Sequence, residues 1–143
     1  MNNEILTRNK LQEQAMQLMY SYLIYEDLNK EIDVTESISS FLDVPFDDAP
    51  LFLKLLLIKA LKYEKETIDY VSKFLNNWKF NRLNYCVQSI LILSVTNFKY
   101  LNDTDRAVII NVAIKLAKKY GDKNDYKFVN AILDKCLDDS IRE

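Results

Sequence analysis

The sequence predicts an all-α protein of six or seven helices joined by short loops. Three observations carry that expectation. Apolar residues recur every three or four positions through almost the whole chain, which is the period of one helix face. Alternation of period two is nowhere sustained, and no Asn-Gly pair marks a hairpin. Prolines and short polar residues interrupt the apolar pattern where helices of ordinary length would begin and end.

The elements follow in order. Leu11, Ala15, Leu18 and Tyr22 fall on one stripe of a helix over about 7–28. Asp33-Val34-Thr35-Glu36 has the form of a capping box, in which the Asp side chain accepts an orphan N–H while Glu36 reaches back. It opens a short helix running to about Leu42. Pro45 and Pro50 bracket the next break, because a proline biases the residue before it away from the helical region. Asp47 and Asp48 are expected to cap the following helix, with Pro50 in its first turn. The apolar stretch from Leu51 to about Leu75 should break near Glu66-Thr67, since Ile68, Val71 and Leu75 restart the stripe there. Asn76, Asn77 and Asn81, around Trp78 and Phe80, mark a joint between two halves.

Beyond the joint, Leu83, Val87, Ile90, Leu91, Ser94 and Phe98 share a helix face. Asn102-Asp103-Thr104 then supplies a turn and a cap. Ile109, Val112, Ala113, Leu116, Ala117 and Tyr120 repeat in the next helix, which Gly121 is expected to close in the left-handed conformation. After a cap at Asn124 or Asp125, the residues Val129, Ile132, Leu133, Cys136 and Leu137 form the last stripe.

Composition excludes much chemistry. At 143 residues, 49% hydrophobic and 12% aromatic, the chain suits one ordered domain that buries about two-thirds of its unfolded surface. It has no His, which removes Ser-His and Cys-His nucleophiles and histidine-ligated metal. Its one glycine, Gly121, removes the phosphate cradles that need several. No Ser has a Lys three residues later. The carboxylate pairs Asp47/Asp48, Asp103/Asp105 and Asp138/Asp139 stand beside helix ends, where capping accounts for the first two and fraying for the third. Cys86 and Cys136 fall on apolar stripes and read as buried, reduced thiols. Neither metal nor cofactor is expected, and a binding protein is expected rather than an enzyme. Met1-Asn2-Asn3-Glu4 lacks a basic region followed by an apolar run, and Leu55–Ile58, clamped by Lys54 and Lys59, is too short to span a bilayer. A cytoplasmic protein is therefore expected.

The net charge of −2 is unevenly spread. Residues 1–80 carry 9 Lys/Arg against 13 Asp/Glu, whereas 81–143 carry 10 against 8. Five lysines, Lys115, Lys118, Lys119, Lys123 and Lys127, fall within 115–127. Such a segment is either a solvated helix face or a basic patch for nucleic acid. Tyr20 lies off the first stripe, so its ring either packs on a neighbouring helix or offers a flat face to a base.

Three segments carry a family resemblance. Ile110-Asn111-Val112-Ala113-Ile114-Lys115-Leu116-Ala117-Lys118-Lys119-Tyr120-Gly121 and Lys127-Phe128-Val129-Asn130-Ala131-Ile132-Leu133-Asp134-Lys135 resemble the last two helix signatures of the NusB transcription antitermination family. Gln12-Glu13-Gln14-Ala15-Met16-Gln17-Leu18-Met19-Tyr20-Ser21 is similar to that family's first helix. The resemblance covers essentially the whole chain, residues 1–143. It implies two small helical bundles packed together, about 1–80 and 81–143. It also implies a function: pairing with the ribosomal protein NusE and binding the boxA segment of nascent RNA, within the transcription elongation complex, so that ribosomal RNA operons are read through.

The implied RNA surface combines an arginine-rich start of the first helix with the start of the last. Carried over by position, it consists of Arg8, Lys10, Gln12, Gln17, Tyr20, Lys118, Lys127 and Asn130. Cations would hold phosphates, Tyr20 would stack, and amides would contact splayed bases. Asn130, a poor helix former inside a helix, should make a specific hydrogen bond, either structural or to RNA. Phe128 should plug the junction between the bundles. The chain departs from the family where Asn9 and Gln12 replace arginines, and where Val112 and Lys115 stand in place of glutamates. Fewer cations on the first helix imply weak RNA binding alone and a greater dependence on the partner. The alternative reading keeps the fold as a protein–protein adaptor or homodimer with little RNA affinity of its own.

Overall fold

The computed structural model describes residues 2–143, with side chains from Arg8 onward; the Met1–Glu4 reading falls on side chains outside that range. The described residues form seven α-helices and no strand. Helix α1 (Asn2–Asp27) starts earlier than its stripe suggested and buries Leu11, Ala15, Met16, Leu18, Met19 and Leu23. Helix α2 (Val34–Leu42) shows the Asp33 half of the expected capping box, with Asp33 Oδ1 accepting the Glu36 N–H at 3.2 Å, while the Glu36 side chain makes no return bond among the described residues.

The next two boundaries differ from expectation. Helix α3 (Leu51–Lys62) has Pro50 itself at the cap position. Asp47 and Asp48 do not cap it, because they are taken up in a 3-10 turn, Phe46–Asp48, one step too early. Helix α4 (Glu64–Ser72) begins just after Tyr63, three residues before the expected break, and Thr67 is buried inside it. Tyr63, the residue between the two helices, stacks on Tyr100 with ring centroids 4.1 Å apart. The joint after α4 buries Phe80 and leaves Trp78 60% exposed.

Helix α5 (Tyr85–Thr96) overturns the one-faced reading most plainly. Every residue from Cys86 to Thr96 is buried, so it has no solvent face. It packs against α1, α3 and α4. It also meets α6 (Arg106–Tyr120) and α7 (Asp125–Cys136). Hydrophobic residues all round are what a central helix requires. Asn84 caps it by accepting the Val87 N–H at 2.9 Å, and Leu83 lies before the cap. A π-helical turn, Asn97–Leu101, extends it and ends at the left-handed Asn102.

The cap of α6 is at Asp105 rather than within 102–104. Asp103 pairs instead with Arg8, at 3.3 Å. Gly121 is extended (φ −92°, ψ −174°), not left-handed. Its glycine is required for space instead: a Cβ there would sit 2.7 Å from the Ala117 carbonyl oxygen and 2.8 Å from Asp125 Oδ2. Asn124 holds the cap position of α7 without a side-chain bond. The Asp125 carboxylate accepts from the Asp122 N–H and from Asn84 Nδ2 at 2.7 and 2.9 Å, tying the start of α7 to that of α5.

Arg106 donates to the Leu137 and Asp134 carbonyls and pairs with the Asp134 carboxylate, so α6 and α7 run antiparallel. Asp138 does not fray but caps the closing 3-10 turn, accepting the Ser140 N–H at 2.9 Å. Phe128 packs partly buried against the core. Cys86 and Cys136 are buried and free, and burial pushes their thiols up to about 11 and about 12. Among the described residues, no helix is long and apolar enough to cross a membrane.

Candidate nucleic-acid interface

Helices α1 and α6 lie side by side, joined by polar contacts of Glu13. Its carboxylate accepts from Lys119 Nζ at 2.6 Å and from the Tyr120 hydroxyl, with Lys10 Nζ 3.7 Å away. Gln17 Nε2 donates to the same Tyr120 hydroxyl at 3.1 Å. The Glu13 side chain is only 13% exposed. The Lys119 bond first, and the Tyr120 bond second, hold its carboxyl below the ordinary carboxylate range. The same bond to Glu13 holds the Lys119 ammonium above its ordinary range.

A depressed carboxyl stabilises the fold above its unfolded pKa, and that contribution is lost as pH falls through the folded value. Glu13→Gln is therefore expected to lower stability by about 1 kcal/mol at pH 7. The difference from wild type should close as pH drops below the ordinary 4.5, as read from melting midpoints across pH. A gap that stayed constant down to pH 3 would contradict this.

The cationic residues of α1 diverge. Arg8 and Lys10 are two positions apart, hence about 200° around the helix. The Arg8 guanidinium lies 4.1 Å from the Phe52 ring centroid on α3, pairs with Asp103 at 3.3 Å and donates to Thr104 Oγ1 at 3.4 Å. Lys10 is exposed and faces α6. Gln12 is 8% exposed and turned inward beside Met16 and Leu56, so it does not reach the surface the others share.

Elsewhere the expected residues converge. Lys118 Nζ and Lys127 Nζ lie 4.7 and 6.0 Å from the centroid of one ring, that of Tyr126. Asn130 is one turn along α7 from Lys127, exposed, and in none of the side-chain hydrogen bonds among the described residues. The structural bond expected of it is therefore absent there. Tyr20 packs edge-on against Tyr85, with centroids 6.0 Å apart, as its packing reading expected, and remains 40% exposed. With Tyr120, Asn84 and Asp122 it lines a cleft of about 470 Å³.

Tyr120 is not on the buried stripe as expected but exposed, linking this cleft to the Glu13 junction. Lys118 and Lys119 then lead across α6 to Tyr126. Sequence reasoning missed Glu13, Tyr120 and Tyr126 as members of this surface. Glu13 stands three residues after Lys10 and Tyr126 just before Lys127, but their partners are on other helices.

Residues 9–138 match the profile of the NusB family. The transcription antitermination protein NusB of Methylacidiphilum infernorum is 31% identical over 141 residues, covering 97% of this chain and 96% of the relative. The structure of T. maritima NusB superposes with a TM-score of 0.78 at 24% identity, covering 91% of this chain and 89% of that one. A chain from a complex of the antitermination factors NusB and NusE with double-stranded RNA has the same fold, with a TM-score of 0.67 at 19% identity, covering 91% and 95%.

Proposed function

Because this chain belongs to the NusB family of transcription antitermination factors, we propose that it binds boxA-type nascent RNA together with the ribosomal protein NusE, in the cytoplasm and within the elongation complex. The observation that carries the reading is the α6–α7 face, where Lys118 and Lys127 flank Tyr126 and leave Asn130 exposed. Two ammonium groups beside an aromatic face and an unengaged amide are the groups single-stranded RNA calls for: cations on phosphates, a ring beneath a base, an amide at a base edge. Lys10, Gln17 and Tyr20 extend the same surface along α1. Arg8 contributes less, since a phosphate must compete with Asp103 and Phe52 for its guanidinium. Gln12 supports the packing behind the surface. The reading requires no catalytic group. Its unit is the whole chain, 1–143, with halves of about 1–80 and 81–143 meeting along α5.

An adaptor or homodimer has one observation in its favour: Leu51, Leu55 and Ile58 form an exposed apolar stripe on α3. Titrating the protein with boxA RNA, with and without NusE, separates the two readings. RNA binding strengthened by NusE supports the antitermination reading, whereas NusE or self-association without RNA binding supports the adaptor. Asn130→Ala is expected to leave stability within about 0.5 kcal/mol of wild type, as for exposed positions, while weakening RNA binding. A lowered melting midpoint with intact binding would return Asn130 to a structural role.

A further inference from the structure

We propose that the groove between α1 and α6 is a second phosphate track for single-stranded RNA, in which α6 supplies the cations that α1 lacks. The inference rests on the RNA-binding reading above and adds a specific path to it.

Lys10 from α1 and Lys115 and Lys119 from α6 line this groove of about 260 Å³. Three ammonium groups face one carboxylate, Glu13, which is already engaged by Lys119 and approached by Lys10. Lys115 has no ion-pair partner among the described residues. Lys115 and Lys119 are four residues apart on one side of α6, an arrangement of like charges that disfavours the helix slightly. An anion laid between them reverses the sign of that interaction.

The floor is apolar, formed by the buried Val112 and Leu116. Low-dielectric walls beneath charged heads concentrate the field on whatever anion enters. Asn9 stands at the edge, and its buried Oδ1 meets no donor. The volume is below the roughly 300–1,000 Å³ of small-molecule sites. The chemistry thus favours the backbone of a strand passing through over an enclosed ligand. Lys119 adjoins Lys118 on α6, so a strand crossing that helix touches this groove and then the Tyr126 face.

The test is a titration of the full chain with boxA RNA and NusE at several salt concentrations. Lys115→Gln is expected to weaken binding roughly 5-fold at 0.1 M monovalent salt and to flatten the slope of log K against log salt by about 0.7, the value of one single-strand phosphate contact. Lys115→Glu should weaken it further. Lys65→Glu, an equal change of net charge on the exposed part of α4, should stay near wild type. Unchanged binding in both Lys115 variants, or an equal loss with Lys65→Glu, overturns the groove while leaving the RNA reading standing. A wild-type protein that binds no RNA with NusE present overturns both.

Discussion

Ile92→Ala is expected to lower stability by about 2–5 kcal/mol, as much as Leu91→Ala. The two residues are adjacent on α5, about 100° apart around its axis. A helix with one buried face would hide only one of them well. Here both side chains are fully buried, because α5 is packed among α1, α3, α4, α6 and α7. Each truncation leaves a cavity that neighbouring helices fill only partly. Against a typical total of about 5–15 kcal/mol, either loss is a large share. Denaturant melts of both variants measure it, with Ile92→Val as the milder control at about 0.5–1.5 kcal/mol. An unchanged midpoint for Ile92→Ala would mean that α5 has a solvent face after all.

Under the proposed function, Lys118→Gln combined with Lys127→Gln should weaken boxA RNA binding roughly 25-fold at 0.1 M monovalent salt. It should also flatten the log–log salt slope by about 1.4, two single-strand phosphate contacts. Both lysines are exposed, and their only described partner is the Tyr126 ring they share, so the fold should persist. Salt-dependent binding with NusE present checks both numbers. Equal affinity and an equal slope would take the α6–α7 face out of the RNA path. Losing affinity at every salt concentration without a change of slope would point instead to altered packing around Tyr126.

Much of the candidate surface was legible before the structure, and its failures share a cause. Lys118, Lys127 and Asn130 belong to motifs on adjacent antiparallel helices, and the fold brings the two lysines to one ring, that of Tyr126, with Asn130 exposed one turn along α7. Arg8 and Lys10 are near in sequence yet diverge, one toward Phe52 and Asp103, the other toward α6. Gln12 occupies a position read as polar surface but sits under Leu56 and Ile90, with its Nε2 lacking a partner. Boundaries shifted where a distant contact intervened. Tyr63, at the break, stacks on Tyr100, and Asp103, expected in the cap of α6, pairs with Arg8.

The chain by itself determined that the fold is helical, roughly where each helix runs, the Asp33 cap, and the family to which the motifs belong. Those features arise from groups a few residues apart, whose spacing, propensity and capping act within one helix. Only the tertiary structure decided that α5 is buried all round and that Lys10, Lys115 and Lys119 meet across one groove. Each of these depends on which face of one helix meets another far along the chain. Periodicity reveals that a buried face exists, but not how many neighbours surround it or which charges those neighbours bring.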